Sequence, residues 1–80
     1  MKKSYQDRIS ADPDIMLGKP VIKGTRIPVE LILRKLSEGM EIPELLQAYP
    51  HLSKEDIFAA LSYSADVIGM EEVIAPETSR

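Results

Sequence analysis

Apolar residues recur along this chain in three runs with the period of a helix, and residues that start or stop helices bound each run. Val29, Ile32, Leu33 and Leu36 follow the i, i+3, i+4, i+7 rule, with Pro28 suited to a first turn and Gly39 to the C′ stop. Ile42, Leu45, Leu46 and Tyr49 repeat that spacing over a shorter span, which Pro43 opens and Pro50 closes. The third run has the sharpest start. Ser53 and Asp56 stand at capping-box spacing, Leu52 and Ile57 are placed as a hydrophobic staple, and Glu55 and Asp56 oppose the helix dipole. From there Ile57, Leu61, Ala65 and Ile68 predict the buried stripe, with Ala60 and Ser64 beside it, in a helix that reaches Gly69 or beyond. Val67, Met70, Val73 and Ile74 continue the apolar content past what a small bundle covers. With Glu71 and Glu72 they are the candidate subunit or partner contact.

Ahead of the helices the pattern changes. Two β-branched stretches, Val21-Ile22 and Thr25-Arg26-Ile27, flank Lys23-Gly24, which predicts a tight hairpin with Gly24 where φ must be positive. Arg8-Ile9-Ser10 is a further short strand candidate, while Asp12-Pro13-Asp14 and Leu17-Gly18-Lys19-Pro20 are turn chemistry. The expected fold is therefore mainly α: a short N-terminal β-hairpin followed by a three-helix, helix-turn-helix-like bundle in one domain over residues 8–72. Residues 1–7 and 75–80 are expected to be frayed termini. A domain drawn from 80 residues has a thin core, so oligomerisation, most simply a homodimer, is expected.

Charge adds an asymmetry that the net value of −3 conceals. Residues 1–35 carry eight basic and four acidic side chains, a net of +4, and residues 36–80 carry two basic against nine acidic, a net of −7. A polyanion would be drawn to the first half and repelled by the second, which suggests two faces for two partners. Two solvated surfaces of chance composition would read the same way. The second helix, the Pro50-His51-Leu52 turn and the third helix have the lengths of a helix-turn-helix unit, although the usual glycine of the turn is absent. DNA binding would then draw its phosphate contacts from Lys19, Lys23, Arg26, Arg34, Lys35 and Lys54, since Glu55 and Asp56 beside Lys54 repel phosphates.

Candidate chemistry is sparse, and no enzyme is expected. His51 is the single histidine and the chain has no cysteine, which removes disulfides and thiolate metal sites and fits a reducing cytoplasm. Ser53 reads as a cap rather than a nucleophile, and Asp12, Asp14, Glu71 and Glu72 read as turn or surface carboxylates. The glycines are spread over separate turns and make no phosphate-cradling loop, so no cofactor is expected. No apolar run approaches the ~18 residues of a membrane span, and the start lacks the apolar stretch of a signal peptide.

The run Gly18-Lys19-Pro20-Val21-Ile22-Lys23-Gly24-Thr25-Arg26-Ile27-Pro28-Val29 resembles the signature of the domain of unknown function 433 family of bacteria and archaea. The resemblance continues through Gly39-Met40-Glu41-Ile42-Pro43-Glu44, Tyr49-Pro50-His51-Leu52-Ser53, Glu55-Asp56-Ile57 and Ala59-Ala60-Leu61-Ser62-Tyr63, and covers about residues 8–72. It implies a homeodomain-like helical fold preceded by a hairpin, no catalytic residues, and an antitoxin role beside a ribonuclease toxin of the PIN type. Gly18, Pro20, Gly24, Thr25, Arg26 and Ile27 occupy the motif positions. Gly24 is accounted for by its turn and Ile27 by the core, which leaves Arg26 with the least structural reason to be there. The expected function is an antitoxin-like protein that neutralises such a toxin and binds its own promoter. A stand-alone transcriptional regulator and an interaction module without DNA binding are the alternatives.

Overall fold

The computed structural model describes residues 7–70. The expected termini other than Asp7, and the candidate contacts Glu71, Glu72, Val73 and Ile74, lie outside the described residues. In chain order the elements are β1 (Ile9–Ser10), β2 (Val21–Ile22), α1 (Val29–Ser37), α2 (Ile42–Ala48) and α3 (Lys54–Met70). The fold is mainly helical with a short antiparallel strand pair at its N-terminal side, as expected from the pattern.

The strands pair Ile9 with Ile22 and Ser10 with Val21. The turn at Lys23-Gly24 also forms, with Gly24 at φ +83°. The Ile22 carbonyl accepts the Thr25 N–H at 2.9 Å, and the Ile22 N–H donates to the Ile27 carbonyl at 3.0 Å. Beyond it a single bridge joins Val21 to Pro28. β2 is therefore flanked on both edges, by β1 in a two-residue ladder and by the returning chain. The second pairing stops after one bridge because the chain enters α1 at Val29, immediately past Pro28. Between the strands the chain passes through Met16 (φ 52°) and Leu17 (φ 58°), left-handed conformations that cost a side-chain-bearing residue about 1 kcal/mol each.

Each helix boundary has a local cause. Pro28 immediately precedes α1 with extended backbone, one position earlier than the first turn expected for it, and the Pro20 carbonyl accepts the Val29 N–H at 2.9 Å. At the far end Gly39 takes φ +98°. The Gly39 N–H then donates to the Leu36 carbonyl and the Met40 N–H to the Lys35 carbonyl, which is a Schellman stop. α2 starts despite lacking a serine or threonine cap, because the Glu44 carboxylate accepts the Glu41 N–H at 2.8 Å. α3 has the reciprocal box its sequence announces: the Asp56 N–H donates to Ser53 Oγ at 3.1 Å, and the Ser53 N–H donates to Asp56 Oδ2 at 3.0 Å. Ser53→Ala is expected to lower stability by about 1 kcal/mol, read as a reduced urea midpoint with an unchanged m-value.

The core is formed by Ile22, Val29, Ile32, Leu45, Leu52, Ile57 and Ala60, with Ile27, Leu33, Leu36, Ile42, Leu46, Tyr49 and Tyr63 packed around it. The helical periods of α1 and α2 thus point inward as expected. On α3 the expectation needs correction beyond Ile57. Its buried positions are Asp56, Ile57, Ala59 and Ala60, whereas Leu61, Ala65 and Ile68 face solvent. Two apolar faces coexist on this helix, and periodicity does not say which is covered. The Leu52–Ile57 staple fixes the rotation, and the small side chains of Ala59 and Ala60 let the helix lie close to its neighbours. No helix among the described residues is long and apolar enough to cross a membrane.

Candidate nucleic-acid interface

The turn between β2 and α1 assigns a structural task to nearly every residue of the Gly18–Val29 run. Gly24 supplies the positive φ. Thr25 Oγ1 donates to the Ile22 carbonyl at 2.7 Å and accepts the Ile27 N–H at 2.9 Å, clasping the turn from both sides. Ile27 packs on the core, Pro28 starts α1 and Pro20 satisfies its first N–H. Lys19 Nζ reaches Glu30 Oε2 at 3.5 Å. Two side chains remain without such a task, Lys23 and Arg26. Both are exposed, and neither forms an ion pair with another described residue.

Lys23 and Arg26 line one open hollow of about 720 Å³, whose wall also includes Ile15, Gly24, Thr25, Ile27 and His51. His51 comes from the turn between α2 and α3, so two turns distant in sequence converge on one basin with three nitrogen-bearing side chains. Read in sequence, His51 is a turn residue without a role, because the contact that recruits it joins segments some two dozen residues apart. The rigid Thr25 clasp fixes where Arg26 leaves the backbone. A guanidinium, an ammonium and an imidazole around an open hollow form a donor set suited to phosphate oxygens.

The other expected basic contacts are not gathered here. Lys19 is engaged with Glu30, and Lys35 shares a hollow with Glu38 and Glu44 at the α1–α2 corner. Arg34 lies in the last turn of α1, and Lys54 opens α3 beside Glu55. The expected separation of early positive from late negative charge is broken at the α1–α2 corner and again where Arg8 Nη1 donates to Asp56 Oδ1 at 2.9 Å, tying the residue before β1 to the start of α3. The fold packs α3 against β1, so charges far apart in sequence become neighbours. Of the expected partner contacts within the described residues, Val67 and Met70 are both exposed. Val67 borders a shallow apolar hollow with Pro20, Leu33, Tyr63 and Ile68.

The model of the family described as "Protein of unknown function (DUF433)" matches residues 9–64, from β1 into α3. The chain belongs to this family. A DUF433 member from Anabaena variabilis, known from a crystal structure, superposes with a TM-score of 0.75 at 34% identity, over 81% of this chain and 64% of that one. "Uncharacterized protein y4eO" of Sinorhizobium fredii is 36% identical over 56 residues, which are 70% of this chain and 25% of that protein. An uncharacterised protein of Archaeoglobus fulgidus is 57% identical over 28 residues, 35% of this chain and 78% of its own. This DUF433 chain thus spans a quarter of the length of its Sinorhizobium relative and about two-thirds of the Anabaena chain. All three basic residues of the hollow fall inside the segment that defines the DUF433 family.

Proposed function

We propose that this DUF433 chain is a non-enzymatic, antitoxin-like protein that holds nucleic-acid phosphates in the hollow of Lys23, Arg26 and His51. The observation that carries this reading is the division of labour in the β2–α1 turn. Its glycine, threonine, isoleucine and prolines build the scaffold, and its two exposed cations point to a ligand. Phosphate contacts of this kind supply affinity and orientation rather than sequence choice. In the family context the ligand is the chain's own promoter, and the protein partner is a PIN-type ribonuclease. Glu38, Glu41 and Glu44, exposed together around the α1–α2 corner, offer acidic surface to a cleft built to attract RNA.

A second reading, an interaction module without DNA binding, is favoured by one observation: Leu61, Ala65 and Ile68 face outward on α3. An apolar helix face has no groups to hydrogen-bond base edges, so α3 is poorly suited to read a major groove. The two readings separate in one salt-titrated binding assay on the DNA upstream of the gene, with and without the product of the adjacent reading frame. Under the proposal, binding weakens steeply with salt. Lys23→Ala and Arg26→Ala each lower the log–log salt slope by about 1, as expected for loss of a single phosphate contact. An affinity that neither salt nor these substitutions alter would overturn it. Co-purification with the neighbouring product tests the toxin partnership separately.

A further inference from the structure

The hollow of Lys23, Arg26 and His51 offers more than a phosphate group needs. Its volume of about 720 Å³ falls within the ~300–1,000 Å³ of small-molecule sites. Cationic side chains make up only part of its wall, and Ile15 and Ile27 supply an apolar part. An aliphatic surface gives nothing to a phosphate oxygen, which loses its water there without a replacement. Thr25 brings no free hydroxyl, since its Oγ1 is engaged by the Ile22 carbonyl and the Ile27 N–H. Over Gly24 the space is open, and a methyl group there would meet nothing within 4 Å. Ile15 reaches this wall on a strained piece of backbone. Its N–H donates to the Asp12 carbonyl at 2.8 Å, and its carbonyl accepts the Gly18 N–H at 3.0 Å. Met16 and Leu17, the two left-handed residues, follow it directly. Strain of this kind gathers where the surrounding structure holds a ligand site in place. Asp12 and Asp14 of the same connection stay out of the wall, and no carboxylate of a described residue lines it.

We infer, resting on the hollow's role as a phosphate site, that it takes one unpaired nucleotide of a strand. The phosphate lies on the cations and the base lies over Ile15 and Ile27. Covering those two side chains with a base removes apolar surface from water, which a bare phosphate does not do. Imidazole rings and guanidinium planes are surfaces on which unstacked bases settle, so His51 and Arg26 serve both parts of the ligand. Every base has a flat face of this kind, so the site tolerates any sequence. A duplex keeps its bases stacked and paired, and it engages the cations alone. The same residues therefore hold promoter duplex by its backbone and gain affinity wherever a base is free.

Fluorescence anisotropy on the full chain tests this with three labelled ligands of equal length. They are a single strand of the upstream DNA, an abasic strand and the duplex. At one salt concentration the single strand should bind about tenfold more tightly than the abasic strand, which carries the same charge. Ile15→Ser should weaken the single strand severalfold and leave the abasic strand and the duplex unchanged. Lys23→Ala should weaken all three. His51→Ala should shrink the preference for bases, and His51→Phe, which keeps a flat ring without a phosphate donor, should restore it. Ile15 is half-buried, so the substitutions of His51, an exposed turn residue, carry the test if Ile15→Ser unfolds the chain. Equal affinity for the single and abasic strands, lowered by Lys23→Ala, overturns the inference and leaves the phosphate site standing. A base preference that neither Ile15→Ser nor His51→Ala alters places the base elsewhere and equally overturns it. If none of the three ligands binds, the phosphate site falls as well.

Discussion

Leu45→Ala is expected to cost about 2–5 kcal/mol, the range for truncating a fully buried leucine. An 80-residue domain at about 0.05–0.15 kcal/mol per residue holds only about 4–12 kcal/mol in all, so much of the population should unfold under mild denaturant. The position justifies the upper part of that range. Leu45 has no exposed surface and packs in one cluster with Ile22, Ile32 and Ile57, which represent β2, α1 and α3. It is also the single fully buried residue of α2, a seven-residue helix far too short to persist without tertiary packing. Removing its side chain therefore opens a cavity and loosens the element that delivers His51 to the hollow. Leu45→Met, which nearly conserves volume, should cost less than about 1.5 kcal/mol. Urea denaturation measures both, and a loss below about 1 kcal/mol in Leu45→Ala would show that the three helices do not share this core.

Asp56→Ala is expected to cost about 2 kcal/mol, more than Ser53→Ala at the other end of the same box. The Asp56 carboxylate, 8% exposed as a residue, accepts from the Ser53 N–H and from Arg8 at once. Losing it leaves the Ser53 N–H without its acceptor, half of the capping box, and removes the ion pair that ties the chain before β1 to that helix. The hydrogen bond from the Ser53 N–H accounts for about 1 kcal/mol. Arg8 is 43% exposed and can be hydrated when released, so the ion pair adds less than a buried pair would, about 0.5–1 kcal/mol. A double-mutant cycle separates the parts: coupling of Asp56→Ala to Ser53→Ala should exceed its coupling to Arg8→Ala. Equal and negligible couplings would mean that the carboxylate acts only by its charge near the helix terminus. Asp56→Asn keeps an acceptor for the Ser53 N–H and should recover part of the cap.

Local chemistry alone announced the elements of this fold. Pro28 with Gly39, Pro43 with Pro50, and Ser53 with Asp56 mark the helix boundaries within a residue or so, because capping and φ restriction act between neighbours in sequence. The turn at Gly24 follows from the same kind of cause. The strand partner of Val21-Ile22 was less legible. Both Arg26-Ile27 and Ile9-Ser10 have suitable residues, and β2 uses both sides unequally, with a ladder to one and a single bridge to the other.

The chain by itself settled where helices begin and end, which faces of α1 and α2 turn inward, and that the β2–α1 connection turns at Gly24, whereas the Thr25 clasp emerged only in the structure. What the chain settled follows from period, capping and backbone preference, all readable over a few residues. Tertiary packing alone decided which apolar face of α3 is covered, that Arg8 meets Asp56, and that His51 joins Lys23 and Arg26. Each of these joins or orients segments remote in sequence, and no local preference encodes which of two chemically similar surfaces will be buried or which distant charges will meet.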